Sequence, residues 1–453
     1  MVLIMKKAIV VIFLLCLMLV GCVQNVETNE KSGISKIFDA TQTSSEADQN
    51  SQLGNLCIGE EECKEFCSKN RGRCESYCRG KEIELCKIIF PPTANNPSPQ
   101  ANLGCTGQGI VEFTSPPMRI EDVGFIEPIG LMIGSHVTPI DHGYYTAKTW
   151  MSGSSREDPS IFVDVLSPAA GIVTSVQSMP TVYTSSSLGD YRIMIHHTCT
   201  FYTIYIHVNQ LSEKLQAVAN TGKTVTVEAG EIIGKAPGFD FSVHDEEVTL
   251  KGFIVPENYM VEPWKLHTVD IFDHFTEPIR TQLLDKNIRQ KEPRGGKIDY
   301  DLDGKLVGNW FVEGTNYTGL YDGADHYGYY ATHLAFAYEG LDPSLIIVSM
   351  GNYGGEPKQF AVKGNKPDPS QVDTQSGLVK YELVGFDYLT DTGNRWDRRS
   401  FAKIVKAYGY DEHVSGTALV QMLEDRKIKF EVFPGKTAAQ ASGFTEKAKI
   451  YER

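Results

Sequence analysis

The sequence predicts a mainly β protein, with two β-rich domains that follow a small Cys-rich helical module. Two observations support this prediction. The chain contains 41 Gly, 21 Phe and 21 Tyr. From about residue 102 onward, it consists largely of short runs of alternating apolar residues separated by Gly, Pro and Ser. At 453 residues it is long enough for two or three domains.

Composition excludes several classes of protein. With 41% hydrophobic and 22% charged residues, the chain is neither wholly disordered nor a polytopic membrane protein. Its net charge is −14, and no long basic block is present. Because binding to phosphates needs clustered Lys and Arg, we expect no nucleic-acid partner.

The first residues have the anatomy of a signal peptide. Lys6 and Lys7 precede an apolar run over residues 8–20, which is shorter than a comfortable transmembrane span. The following Leu-Val-Gly-Cys22 resembles the lipobox of prokaryotic lipoproteins. The resemblance implies that residues 1–21 are removed and that Cys22 is lipidated; the alternative is an uncleaved anchor helix. Either way, we expect an extracytoplasmic protein, with a lipid anchor attaching it to the cell membrane.

Composition changes along the chain suggest its organisation. Residues 22–56 are polar and are expected to form a disordered tether. Residues 89–101 are a Pro-rich linker. The sequence then predicts one β domain over residues 102–258 and a second over residues 259–453, joined by a helical link that starts at Asp270.

Residues 57–88 form a Cys-rich module. They contain two Cys-x3-Cys units, and an i, i+4 spacing places both sulfurs of each unit on one helical face. Because the expected compartment is oxidising, we expect a hairpin of two helices stapled by disulfides, with a four-thiolate zinc site as the alternative. The cysteines expected to bond among themselves are Cys57, Cys63, Cys67, Cys74, Cys78 and Cys86.

Cys105 and Cys199 are the remaining pair. Without the two cysteines of the signal region, eight of the ten remain, and six of those lie in the module. We therefore predict a Cys105–Cys199 disulfide. It would close a loop of about 95 residues and contribute roughly 4–5 kcal/mol on the chain-entropy account.

Histidines and acids are concentrated in three stretches of the first β domain. The stretches contain His136, Asp141 and His142; His196, His197 and His207; and Asp240, His244 and Asp245. Strand alternation places Asp240 on one face together with His244, and the apolar residues Phe239, Phe241 and Val243 on the other. It also places His207 on the face of Phe201, Thr203 and Tyr205. We expect His196 to be an exposed strand residue.

Three segments in this order, SIFVDVLSPAAGIVTSVQS, YRIMIHHTCTFYTIYIHVNQLS and VTVEAGEIIGKAPG, resemble the lysostaphin/LytM-type zinc metallopeptidases. The resemblance covers residues 130–255. His197 and His207 are ten residues apart, as are two histidines of that family, and Tyr205 precedes His207 by two positions. The resemblance implies an antiparallel β-sandwich with a groove that holds a zinc ion.

The resemblance also implies roles for particular residues. His136, Asp141, His142 and Asp240 would be metal ligands, and His207 would be catalytic, with zinc activating a water molecule. The chain departs from the family at two places. His136 and Asp141 are separated by four residues rather than three, and a β-bulge is one way to restore the geometry. Gly238 stands where the family has a proton-transferring His.

Two functions remain open for this domain. One is a zinc-dependent endopeptidase, a hydrolase acting on peptides of peptidoglycan or another envelope polymer. The other is a degenerate domain that binds a cell-envelope peptide or glycan polymer without cutting it, because Gly238 cannot move a proton. The sequence leaves open whether the protein is an enzyme.

The second β domain suggests a third function. Gly308-Asn309-Trp310 resembles the Gly-x-Trp signature of lipocalin-like barrels, which implies a barrel-like domain that binds a small hydrophobic ligand. Trp310 as an ordinary core residue is the alternative. Asp299, Asp301 and Asp303 resemble the start of an EF-hand loop, but we expect Asp303-Gly304 to form the turn of a hairpin instead.

Overall fold

The computed structural model describes residues 61, 63, 64, 85, 104–150, 155, 158–179, 188–317, 319 and 329–453. The chain divides into two compact units, Met1–Phe90 and Pro91–Arg453. Among the described residues, no helix has the length and apolar character that crossing a membrane requires. The predicted signal peptide, lipidated Cys22, tether and linker lie outside the described residues.

The first unit contains the described part of the Cys-rich module. Glu61, Cys63, Lys64 and Leu85 are helical. Cys63 and Leu85 are buried, and Cys63 is disulfide-bonded. The pairing of the module's six cysteines among themselves, and its zinc alternative, stay predictions. The other five cysteines of the module lie outside the described residues.

The second unit begins with a β-sandwich in which all strands pair antiparallel. The larger sheet has the order β1-β2-β10-β6-β5-β4-β8, with β11 paired to β10, and the smaller sheet has the order β3-β9-β7. The strands are β1 (Val123–Glu127), β2 (Gly143–Ala147), β3 (Val163–Leu166), β4 (Gly171–Ser178), β5 (Tyr191–His196), β6 (Phe201–Val208), β7 (Gln210–Leu211), β8 (Val225–Val227), β9 (Ile232–Ala236), β10 (Gly238–Asp245) and β11 (Thr268–Val269). Since β11 belongs to the larger sheet, this sheet extends beyond residue 258.

Alternation along the central strands forms the sandwich core. In β10, Phe239, Phe241 and Val243 are buried in one apolar cluster, as predicted. Tyr205 of β6 pairs opposite Phe241 and lies in the same cluster. Its hydroxyl donates to the carbonyl of Leu166 in the smaller sheet, at 2.8 Å, which ties the two layers together.

The predicted Cys105–Cys199 disulfide is present. Its Cα atoms are 5.2 Å apart across a sequence separation of 94 residues. The bond fastens the segment before β1 to the turn between β5 and β6. The Thr198 hydroxyl donates to the Gly109 carbonyl at 2.7 Å beside it.

A closed barrel of eight antiparallel strands follows, in the order β12 to β19, and this confirms the predicted second β domain. β12 pairs with β19 to close it. The strands are β12 (Gly308–Val312), β13 (His333–Tyr338), β14 (Ile346–Tyr353), β15 (Glu356–Val362), β16 (Leu378–Thr390), β17 (Ile404–Met422), β18 (Lys427–Pro434) and β19 (Lys449–Glu452).

The barrel interior is an apolar core. Alternate residues of all eight strands form one buried cluster, which includes Trp310, Phe336, Tyr381 and Phe430. Trp310 is fully buried, and its Nε1 donates to the Leu306 carbonyl at 2.8 Å. Trp310 is therefore a core residue of the barrel.

The remaining elements are short. Helices α1 and α2 span Glu213–Gln216 and Ile279–Lys286. The 3₁₀ turns are Pro159–Ile161, Pro256–Tyr259, Pro263–His267, Tyr329–Thr332, Lys363–Asn365, Pro369–Gln371 and Thr374–Ser376.

Sandwich and barrel share a further apolar cluster, in which Phe125 and Leu131 meet Ala335 and Ile347.

The predicted hairpin around Asp303 forms only in part. Gly304 adopts a φ of 71° in a turn, but residues 299–302 are not a strand. Asp301 is buried, and its Oδ1 lies 3.3 Å from Nη1 of Arg453 and accepts from the Asn309 amide. These contacts join the segment before the turn to the barrel wall. They engage the Asp301 carboxylate with groups of the protein itself.

Candidate functional site

The candidate site lies on the face of β10 opposite the sandwich core. Asp240, Ser242 and His244 point to this face, and all three are buried. A buried acid needs hydrogen bonds or charged partners, because transfer of a charge out of water is costly. The predicted alternation is confirmed, and the polar face is covered by protein.

The cover comes from the chain after β10. In the 3₁₀ turn Pro263–His267, the Trp264 carbonyl accepts from Nδ1 of His244 at 2.9 Å. The Nε2 of His244 contacts the Ser242 hydroxyl at 2.7 Å. Both ring nitrogens of His244 are therefore engaged away from Asp240, and burial lowers its pKa to about 4.

His207 reaches the polar face by leaving the strand alternation. Its φ is 68°, a left-handed conformation that costs a non-glycine residue about 1 kcal/mol or more. The regular pattern would place His207 on the core face with Tyr205, as we expected. The left-handed backbone conformation instead turns the side chain to the other face of the sheet, where its Nε2 lies 3.6 Å from Oδ2 of Asp240. The expectation of a shared face is therefore wrong for His207.

Asp190 orients His207. The Nδ1 of His207 lies 3.0 Å from both carboxylate oxygens of Asp190, which is buried just before β5. A carboxylate in this position fixes the ring tautomer, with the proton on Nδ1 and the lone pair on Nε2. Sequence analysis missed Asp190, which lies 17 residues before its partner in no recognisable motif.

His142 mirrors His207 on the other side of Asp240. Its Nδ1 lies 3.1 Å from Oδ1 of Asp141, and its Nε2 lies 3.4 Å from Oδ2 of Asp240. Nε2 is buried and makes no hydrogen bond within the described residues. Burial lowers the pKa of His142, but the carboxylates of Asp240 and Asp141 outweigh burial, so the pKa is raised overall.

Asp141, His142, Asp190, His207 and Asp240 form what we name the imidazole–carboxylate cluster. Imidazole and carboxylate groups from separate segments of the chain therefore meet around Asp240. At the rim, the side chain of His207 is 27% exposed, whereas His142 and Asp240 are buried. His207 is the member of the cluster that a ligand in solvent can reach most easily.

His136 lies beside this cluster, and Asp141 contacts His142 rather than Asp240. The ring of His136 is 5.3 Å from that of His142, edge to face. Burial, followed by the charges of His142 and Lys265, lowers the pKa of His136 to about 3. Oδ1 of Asp141 contacts both His142 and the ammonium of Lys265, so this carboxylate orients His142.

Lys265 was missed by sequence analysis. Its side chain is 2% exposed, and its Nζ lies 3.3 Å from Oδ1 of Asp141. Despite burial, which acts in the opposite direction, Lys265 and His142 hold the pKa of Asp141 well below its usual range. A lysine between the apolar residues Trp264 and Leu266 is a weak sequence signal for a buried cation.

Position 238, where the resemblance implies a catalytic His, has no room for a side chain. A Cβ atom on Gly238 would lie 2.8 Å from the carbonyl oxygen of Tyr145 and 3.1 Å from the ring of Trp150. The first distance is shorter than real Cβ contacts, so any larger residue would have to displace the main chain of β2. The glycine is therefore required by packing.

The donors fit a zinc ion only in part. Two ligands of one tetrahedral zinc ion lie about 3.3 Å apart, close to the 3.4 Å and 3.6 Å that separate Asp240 Oδ2 from the two Nε2 atoms. However, no group of three or more His, Cys, Asp or Glu in the described chain could hold a metal ion. Zinc therefore stays an untested prediction, and the ligand roles of His136, Asp141, His142 and Asp240 stay predictions too.

His196 differs from its expectation. It is buried rather than exposed, its ring stacks on Tyr202 at 4.8 Å, and its Nδ1 lies 2.9 Å from the Thr174 hydroxyl. Tyr202 stacks in turn on His244 at 5.1 Å. These rings continue the buried polar face across three strands, and burial lowers the pKa of His196 to about 4.

No protein-family model matches the chain, and no curated protein matches it. Among solved structures, a chain from the structure of the SpoIIQ–SpoIIIAH pore-forming complex is similar at 12% identity. The match covers 38% of this chain and 96% of that chain, with a TM-score of 0.24. A likeness of this size carries no argument about function.

Proposed function

We propose that this chain is an extracytoplasmic, lipid-anchored protein that binds a peptide or glycan polymer of the cell envelope without cleaving it. The sandwich is the proposed binding domain, and its imidazole–carboxylate cluster is the proposed binding site. The resemblance to LytM-type peptidases supplies the class of ligand. The lipidated Cys22 would anchor the chain to the membrane. The polar segment over residues 22–56 would be the flexible tether that lets the sandwich reach the envelope polymer.

One observation carries the non-cleaving part of the proposal. Peptide hydrolysis needs a group that moves a proton at the scissile bond. The resemblance assigns this role to position 238, where the Tyr145 carbonyl and the Trp150 ring exclude a side chain. His244 does not replace it in our proposal, since both of its ring nitrogens are engaged elsewhere.

The cluster itself supports binding. Asp190 orients His207 so that Nε2, at the rim, can accept a hydrogen bond from an amide or hydroxyl of a polymer. Asp240, 3.6 Å behind that nitrogen, supplies a negative charge that attracts hydrogen-bond donors. Envelope peptides and glycans are rich in such donors.

Sedimentation with envelope material tests the proposal. The chain from residue 22 onward, carrying Cys22→Ser to prevent lipidation, is mixed with envelope preparations of the organism that encodes it. We expect co-sedimentation, weakened at least about fivefold by His207→Ala, which corresponds to roughly 1 kcal/mol. His413→Ala, at an exposed histidine of β17, is the control and should bind normally.

The same incubations measure hydrolysis. We expect no new amino groups or reducing ends over the background of the envelope preparation. Release of fragments that depends on His207 would overturn the non-cleaving proposal. Failure of the chain to sediment with the envelope would overturn the binding proposal.

A zinc-dependent hydrolase is the second candidate. The observation in its favour is the approach of two oriented Nε2 atoms to one carboxylate oxygen, at 3.4 Å and 3.6 Å. It requires one zinc ion per chain, lost in His142→Ala and Asp240→Ala, together with fragment release. Binding of a hydrophobic ligand by the barrel stays an untested prediction.

A further inference from the structure

Lys265 is a buried cation at the edge of the imidazole–carboxylate cluster. Lysine is almost never buried this deeply unless its charge is paired. Its Nζ lies 3.3 Å from Oδ1 of Asp141 and 5.0 Å from the centre of the Tyr317 ring. A carboxylate and an aromatic face thus both stabilise the ammonium where it lies.

The main chain holds Lys265 in this place. The carbonyl of Trp264 accepts from His244, and the Thr268 hydroxyl donates to the carbonyl of Lys265 itself at 3.1 Å. Thr268–Val269 then pair with β10 as β11. Contacts on both sides of Lys265 therefore fix the turn against the polar face.

The ammonium acts on six titratable neighbours. Its positive charge is one of the causes that lower their pKa values, although the pKa of His142 is raised overall by its carboxylate partners. They lie in β10, in the segment before β2, next to the Lys265 turn and in the barrel. The neighbours are His136, Asp141, His142, His244, Glu262 and His333.

A divalent ion and this ammonium would compete. Asp141 is a ligand in the resemblance, yet its Oδ1 already contacts Lys265 and His142. A second, doubly charged cation beside Asp240 would be repelled by Lys265. Within the described part of the chain, no group of three or more His, Cys, Asp or Glu is placed to hold it.

We infer that Lys265 takes the place of the divalent metal ion that the resemblance implies, so that the imidazole–carboxylate cluster receives its positive charge from the chain itself and binds its ligand without metal. This inference rests on the proposed binding function. It explains why two histidines can face Asp240 although the described residues do not form the three-ligand zinc site that the resemblance implies. It also gives a role to a residue outside the segment that resembles the peptidases.

Removing the charge tests the inference. Lys265→Met keeps most of the side-chain volume, and Lys251→Met, at an exposed lysine, is the matched control. After treatment with a chelator, each chain is titrated with Zn²⁺ by calorimetry and with Co²⁺ by absorption spectroscopy. Lys265→Met should bind one ion per chain at least about tenfold more tightly than the unmutated protein. Adding Asp240→Asn should abolish the gain, and Lys251→Met should behave as the unmutated protein.

A measurement on the unmutated protein covers the case in which Lys265→Met does not fold. Acetylation followed by mass spectrometry should leave Lys265 unlabelled while Lys251 reacts, with or without chelator. The inference is overturned if chelator exposes Lys265, or if the unmutated protein binds one ion per chain that Asp240→Asn removes. It is equally overturned if folded Lys265→Met gains no ion.

These outcomes are separate from the fate of the proposed function. A metal ion in the unmutated protein removes the role of Lys265 but leaves envelope binding without cleavage intact. Conversely, loss of envelope binding removes the proposed function, while metal binding by Lys265→Met would still show that the ammonium excludes the ion.

Discussion

The sandwich and the barrel are both antiparallel β structures, but they bury different groups. The barrel fills its interior with apolar side chains such as Trp310 and Phe336. The sandwich has an equally apolar core, yet it also buries a polar face that carries Asp240 and His244. Buried polar groups cost free energy unless partners satisfy them. The barrel also buries acids, such as Glu339 and Asp387. What distinguishes the sandwich is that two imidazoles approach one carboxylate, Asp240, beside a partly exposed rim.

The two bodies also differ in where left-handed residues lie. The left-handed non-glycine residues of the barrel, such as Arg398 and Asp425, lie between its strands. In the sandwich, His207 is left-handed inside a strand, one residue before the end of β6. Strained residues persist where the surrounding structure determines them, and they cluster at functional sites. The left-handed His207 thus lies in contact with the buried acids Asp190 and Asp240.

Trp310→Ala should have the largest effect on stability. Removing a fully buried Trp from the barrel core should lower the free energy of unfolding by about 3–5 kcal/mol. Urea unfolding followed by circular dichroism measures it. Envelope binding by the folded variant should remain normal, and a loss of binding in folded protein would show that the barrel takes part in the site.

Acid should weaken the sandwich through its buried histidines, and His333, whose pKa burial lowers to about 3, should weaken the barrel in the same direction. Burial lowers the pKa of His196 and His244 to about 4, whereas the unfolded value is about 6.5. The unfolded state therefore binds more protons in this range, so stability is full above about pH 6.5 and is lost towards pH 4. For His244 the loss is about 3 kcal/mol.

His244→Gln should flatten this pH dependence in urea unfolding, and His413→Gln should leave it unchanged. His142 acts in the opposite direction, because its raised pKa contributes stability below about pH 6.5 that is lost at higher pH. An acid loss of stability that is as steep in His244→Gln as in the unmutated protein would contradict the buried neutral state of His244.

Gly238→His should destabilise the sandwich and restore no peptidase activity. The new side chain would collide with the Tyr145 carbonyl and the Trp150 ring, at a cost of about 1–3 kcal/mol. Gly443→His is the control, since a Cβ there meets nothing within 4 Å. Thermal unfolding measures the cost. Peptide release by folded Gly238→His would show that only the missing histidine prevents cleavage.

The smallest effect concerns the strained backbone at His207. Both His207→Asn and His207→Val should lose envelope binding, and both remove the partner of Asp190 in the same way. Asn adopts a positive φ more readily than a β-branched residue, so His207→Val should be less stable by about 1 kcal/mol. Equal stabilities in urea would indicate that the backbone relaxes in the variants.

The sequence by itself determined what depends on local pattern and counting. Alternation indicated the apolar face of Phe239, Phe241 and Val243, and the polar face of Asp240. The arithmetic of the cysteines indicated the Cys105–Cys199 bond. These features follow from a period of two along a strand and from an even number of thiols, so no knowledge of distant contacts was needed.

Only the tertiary structure decided how the site is assembled. His207 turns away from its expected face, Asp190 orients it, Trp150 closes position 238, and Lys265 arrives from a turn after the expected domain boundary. Each depends on residues far apart in sequence that packing brings together. A left-handed residue and a buried ammonium leave no periodic signal, because the groups that stabilise them lie on other elements of the fold.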